Sequence, residues 1–109
     1  MKPPELTFTL ERIGDFKNSY LVREILKPYL FHESAVIREG TIYGLQDHVD
    51  EEVAGILTEL SQKDPSSGVR TSAEDVLTEY REEEEEKRLR VEEISKIIRQ
   101  EACDSLTII

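Results

Sequence analysis

Two histidines, one cysteine and 24 carboxylates are the residues of this 109-residue chain from which chemistry is usually built. Carboxylate pairs serve general acid–base catalysis, imidazoles bind metals or move protons, and a thiolate is a nucleophile. Each use needs a spacing or a neighbourhood that this chain does not offer. His32 and His48 fall in segments read as turns, without the CxxC or HExxH spacing that completes a zinc site. Cys103 stands beside Glu101 and Asp104, whereas an activated thiolate needs cationic neighbours. A lone cysteine forms no intramolecular disulfide. There is no glycine-rich phosphate loop and no Ser/His/Asp set. The carboxylates are spread along the chain as a solvated face. The residues argue against an enzyme and ask for no cofactor and no metal.

Charge narrows the partners. The formal net charge is −10, of which residues 1–80 carry −7 and residues 81–109 carry −3. Nucleic acids are polyanions, so this balance disfavours them and favours salt-sensitive association with basic proteins. No apolar run approaches the ~20 residues that span a bilayer, and no charged–apolar–small segment opens the chain, so a cytoplasmic protein is expected.

The elements that would carry such a surface are written in one pattern used twice. Ile37-Arg38 is followed by Thr41 and Leu45, and Val69-Arg70 by Ala73 and Leu77, an offset of 32 residues that also sets Ser34 on Ser66. Periods of roughly 20–50 residues mark stacked supersecondary units. Val53, Ile56, Leu57 and Leu60 recur at helical spacing behind Asp50, which suits an N-cap with Glu51 and Glu52 in the first turn. Asp64-Pro65-Ser66-Ser67-Gly68 is a turn. Val69, Ala73, Val76, Leu77 and Tyr80 then open a second amphipathic helix.

His32 to Leu45, HESAVIREGTIYGL, and Asp64 to Leu77, DPSSGVRTSAEDVL, resemble the HEAT-repeat family in its short bacterial form. The resemblance covers residues 5–80. It implies an all-α fold, a short α-solenoid of about two and a half helical hairpins with a long C-terminal helix. It divides the chain into a repeat domain over 1–80 and an acidic helical extension and tail over 81–109. The family places an aspartate in the turn and an arginine six residues later. Asp64 and Arg70 match, so Arg70 is expected to tie the turn to its helix, while His32 occupies the aspartate position before Arg38.

The offset reaches further back. Thr9 falls on Thr41, and Ile13, Gly14, Asp15 and Asn18 fall on Leu45, Gln46, Asp47 and Asp50. Glu5–Gly14 therefore reads as the second helix of an incomplete first unit. The alternation of Leu6, Phe8 and Leu10 also fits a strand, one that would have no pairing partner. Tyr20–Phe31 carries Leu21, Val22, Ile25, Leu26, Tyr29 and Leu30 on a wide apolar face, with Pro28 placed to kink its last turn. In the helix over Ala35–Asp47, Gly40 and Gly44 lower helix propensity by about 1 kcal/mol each, a cost often met where a neighbour must approach closely.

The last helix runs past the repeat. From Leu77 the register continues through Tyr80, Glu84, Lys87, Val91, Ile94, Ile98 and Ala102, a heptad-like stripe interrupted by Glu82–Glu86 and Lys87. A long solvated helix and a disordered acidic tail both fit this segment. As a continuous helix it would overhang the domain, which favours a homodimer through Val91, Ile94, Ile97 and Ile98. A bound partner, or a break at the glutamates with the helix folding back, would also cover that stripe.

In HEAT-like solenoids the second helices line a concave binding face. The resemblance therefore assigns a protein-binding surface to Glu39, Ile42, Tyr43, Gln46, Thr71, Glu74, Asp75 and Thr78, with Ile42 and Tyr43 as an apolar anchor rimmed by carboxylates. Ile42 packed against the last helix is the alternative. The expected function is a small acidic protein-interaction module holding a basic partner, in its sharpest form an inhibitor of the immunity or antitoxin type. A self-associating structural solenoid is the other reading.

Overall fold

The apolar spacing resolves into five α-helices in a computed structural model that describes residues 3–108, and side chains over 5–101. Helix α1 is Pro3–Ile13, α2 Ser19–Leu26, α3 Ala35–Leu45, α4 Glu51–Lys63 and α5 Ser67–Ile108, with a 3₁₀ segment at Lys27–Phe31. No strand occurs among the described residues. The helical alternative wins over Leu6–Leu10 because Leu6, Leu10 and Ile13 face inward at spacings of four and three, leaving Phe8 exposed.

Side chains set the helix boundaries. The Oδ1 of Asn18 accepts the Leu21 amide at 3.1 Å and that of Asp50 accepts the Val53 amide at 2.9 Å, each meeting one of the amides a helix start leaves unpaired. Pro28 has no amide to offer the Glu24 carbonyl, so α2 ends at Leu26 and the chain continues one turn in the tighter 3₁₀ form. Asp64 ends α4, and its Oδ1 accepts the Ser66 amide at 2.9 Å, turning the chain into α5.

Several of these bonds recur at the 32-residue offset. Arg38 and Arg70 each donate through Nη1 to the carbonyl six residues earlier, of His32 at 2.8 Å and of Asp64 at 2.6 Å. Thr9 and Thr41 each donate to the carbonyl four residues back. The two N-caps, Asn18 and Asp50, stand at the same offset.

Helix α3 is the centre of the packing, with α1 on one side and α5 on the other, while α4 packs along the first turns of α5. Leu10, Val22, Leu26, Leu30, Ile37, Ile42, Leu45, Val53, Leu57, Val69, Ala73, Val76 and Leu77 form one buried cluster. The α1–α3 contact is close because of glycine. A Cβ on Gly44 would lie 2.5 Å from the Leu10 carbonyl oxygen, and one on Gly14 would strike the Gly44 carbonyl. The wide apolar face expected of α2 is only partly covered. Val22, Leu26 and Leu30 are buried, but Leu21 and Ile25 are about half exposed, on a side of α2 that the described residues leave uncovered.

Burial along α5 ends at Tyr80; from Arg81 to Glu101 the helix projects into solvent. The glutamate run does not break it. Lys87, Arg88 and Arg90 pair with Glu84, Glu85 and Glu86 one turn back, so the repulsion within the run is offset locally. The projection gives the molecule Cα extents of 71 × 27 × 16 Å and a radius of gyration of 19.3 Å, where a compact chain of this length has about 13 Å. No helix among the described residues is long and apolar enough to cross a membrane. The side chains of Cys103 and of the Leu106–Ile109 tail lie outside the described residues.

Candidate protein-binding surface

Of the eight residues assigned to the binding face, Ile42 does not belong to it. It is fully buried. Seven of the eleven residues of α3 are buried because α1 and α5 enclose the helix from both sides, which leaves it a narrower free face than a helix covered on one side. The anchor therefore reduces to Tyr43, 42% exposed, with Gln46 exposed beside it and Glu39 half-buried.

Tyr43 is held from α5. The Ser72 hydroxyl lies 3.2 Å from the Tyr43 hydroxyl and 3.4 Å from Glu39 Oε1, so it can donate to the carboxylate while accepting the Tyr43 proton, and both contacts form together. Gly68 completes the contact, since a side chain there would meet the Glu39 carboxylate. Thr71, Glu74, Asp75 and Thr78 are all exposed on α5. The hydrogen bonds that join α5 to Glu39 and Tyr43 come from Ser72, and the close approach is at Gly68, not at these four. Thr78 turns its hydroxyl back onto the Glu74 carbonyl at 2.9 Å.

Helix α1 and the turn after it add residues that the repeat pattern did not assign. Phe8, Glu11, Arg12 and Asp15 line an open groove with Tyr43 and Gln46. The Arg12 guanidinium sits 5.9 Å from the Phe8 ring centre, within cation–π range. Phe8 was legible as an exposed aromatic once the segment was read as a helix. Its neighbourhood with Tyr43 was not, because it depends on how α1 lies on α3.

The turn network contains the expected tie between Arg70 and Asp64, made to the main chain, and adds a partner for the carboxylate that the spacing did not reveal. Asp64 gives its carboxylate to Arg38, Nε to Oδ2 at 2.8 Å and Nη2 to Oδ1 at 2.9 Å, while Arg70 binds only the Asp64 main-chain carbonyl. Arg38 thus does have an acidic partner, supplied by the next turn instead of position 32. Burial alone would raise the Asp64 carboxyl; the Arg38 hydrogen bonds, the Ser66 amide and the two arginine charges outweigh it and hold the group below its ordinary range.

The histidines are structural and well separated in role. His32 Nδ1 accepts the Ser34 amide at 3.0 Å inside its own turn. His48, expected in an exposed turn, is buried. Its Nε2 lies 2.6 Å from the Gly14 carbonyl, which can only accept, so Nε2 carries a proton; Nδ1 lies 2.7 Å from the Ser19 hydroxyl. One imidazole therefore links the loop after α1, the start of α2 and the loop before α4. No group of three or more metal-ligating side chains is found among the described residues.

Comparison of the chain with protein-family models, with curated proteins and with solved structures finds no match. The surface is left to be interpreted from its own chemistry.

Proposed function

We propose that this chain is a short HEAT-like helical repeat protein that acts as a non-catalytic interaction module, holding a basic protein on the face shared by α1, α3 and α5. The observation that carries this reading is Tyr43: an aromatic ring 42% exposed, with its hydroxyl held by Ser72, standing among Glu11, Asp15 and Glu39. A pre-positioned aromatic loses little conformational freedom on binding, and a carboxylate rim steers a basic partner. Glu74 and Asp75 extend the acidic character onto α5. The repeat reading is supported by the paired caps Asn18 and Asp50 and by the matching Arg38 and Arg70 bonds. In the sharper form of the proposal the partner is a nucleic-acid-binding enzyme, and the carboxylates occupy the places where phosphates would lie.

The test is a quantitative capture from native lysate by the wild type and by a Tyr43→Ala, Asp75→Lys double variant, at low and at moderate salt. A basic protein retained by the wild type, lost to the variant and released by salt is the expected result. Equal recovery by both proteins overturns the proposed face. Inhibition of the recovered partner's nuclease activity distinguishes the inhibitor form from simple scaffolding.

A further inference from the structure

The free half of α5 is polar in composition but not on every side. Val91, Ile94, Ile97 and Ile98 are 62%, 56%, 51% and 61% exposed on a stretch where only Ser95 is even partly covered. Their direction is fixed by helix geometry. Eighteen residues make five full turns, so residues eighteen apart point the same way. That interval separates Ala73 from Val91, Val76 from Ile94 and Tyr80 from Ile98. Ala73 and Val76 are buried against the body and Tyr80 is partly covered. Val91, Ile94 and Ile98 therefore prolong the core-facing stripe of α5 past the point where α4 stops covering it, while Ile97 falls on the exposed Glu79 and flanks that stripe.

We propose that a second copy of this chain covers this stripe, the two α5 extensions pairing antiparallel about a two-fold axis between Ile94 and Ile98. Continuity is the first argument: the same face of the same helix is already a helix-packing face along α4. Charge decides the direction. Parallel pairing in register would set the two Glu82–Glu86 runs side by side at the ~10 Å of packed helices, about one Debye length, with both acidic bodies at one end. Antiparallel pairing moves the runs about 35 Å apart, well beyond screening, and puts the bodies at opposite ends. It also opposes Ile94 of one copy to Ile98 of the other in an isologous contact that closes on itself. Glu84 with Lys87, Glu85 with Arg88 and Glu86 with Arg90 already satisfy one another within each helix, so the charges that the stripe carries at Glu84 and Lys87 enter the pairing as an ion pair.

The experiment is the solution mass of the full chain at tens of micromolar, followed by one distance. The expected mass is twice 12.6 kDa, falling to the single-chain value in an Ile94→Asp, Ile98→Asp variant. Both side chains are exposed in the single chain, so the variant keeps its helix content, checked by circular dichroism. A spin label at Glu82→Cys in a Cys103→Ser background is expected about 40 Å from its twin, against ~10–15 Å for parallel pairing. A monomeric wild type, a dimer indifferent to the double substitution, or the short distance each overturns the proposal. The proposal does not rest on the partner-binding face: Tyr43→Ala is expected to leave the dimer mass unchanged.

Discussion

Arg38 on α3 holds the Asp64 carboxylate with both prongs of its guanidinium, and the Asp64 side chain is only 3% exposed. Arg38 also donates to the carbonyls of His32 and Glu33, so one guanidinium binds its own turn and the carboxylate of the next. Arg23 repeats the theme at the other end of the helices, reaching Asp50 at 3.0 Å and the His48 carbonyl at 3.3 Å. Bidentate pairing of this sort fixes geometry as well as energy, a role that lysine cannot fill.

Removing one partner of the Arg38–Asp64 pair leaves a buried charge without its counter-ion. Arg38→Met and Asp64→Leu are each expected to destabilise by about 3–5 kcal/mol. The double substitution should cost less than the sum, since each single change already forfeits the same contact. Urea melts of the four proteins measure the coupling; additive losses would show that the two side chains act independently.

The same pair sets an acid limit on stability. The folded Asp64 carboxyl lies below its ordinary value, so the unfolded chain takes up its proton first as pH falls. The contribution is fully present above the unfolded pKa of about 3.9 and is lost as pH drops through the lower folded value. The stability gap between wild type and Asp64→Asn is expected to be constant from pH 7 to 5 and to shrink below pH 4. A gap that stays the same down to pH 3 would contradict this assignment.

Much of this fold was legible because its signals are local. Asp50 and the apolar spacing behind it located α4, and Gly44 marked a close approach, whereas Pro28, read as a kink within one helix over Tyr20–Phe31, instead ends α2 at Leu26. What escaped depends on contacts between distant segments. Asp64 and Arg70 have the right spacing for a pair, yet the carboxylate faces Arg38, and no count along one turn reveals a partner 26 residues away. Ile42 and Tyr43 are adjacent in sequence and were assigned to one face. Their separation follows from α1 and α5 flanking α3 together. His48 does lie in a turn, but its burial was not legible, because its two partners, Ser19 and Gly14, lie about one repeat upstream.

The assignment of inner and outer faces can be checked by three alanine substitutions. Leu57 and Leu77 are buried in the shared core, and Leu57→Ala or Leu77→Ala is expected to cost about 2–5 kcal/mol. Glu74 is exposed, and Glu74→Ala should stay within about 0.5 kcal/mol. Denaturant midpoints in the reverse order would show that the face of α4 or α5 is misassigned.

Two glycines predict opposite signs for one chemical change. Both sit inside helices, where alanine is intrinsically better by about 1 kcal/mol. Gly55 lies on the outer side of α4 with nothing within 4 Å of the position a Cβ would take, so Gly55→Ala should stabilise by up to about that amount. At Gly44 the same methyl would come within 2.5 Å of the Leu10 carbonyl oxygen and 3.0 Å of Leu26 Cδ1. The oxygen belongs to the backbone of α1, so the helix itself must move away. Overpacking of this kind costs roughly 1–3 kcal/mol, which outweighs the gain in propensity. Gly44→Ala is therefore expected to lower the melting temperature while Gly55→Ala raises it. Two stabilised variants would mean that α1 does not lie against Gly44 in solution.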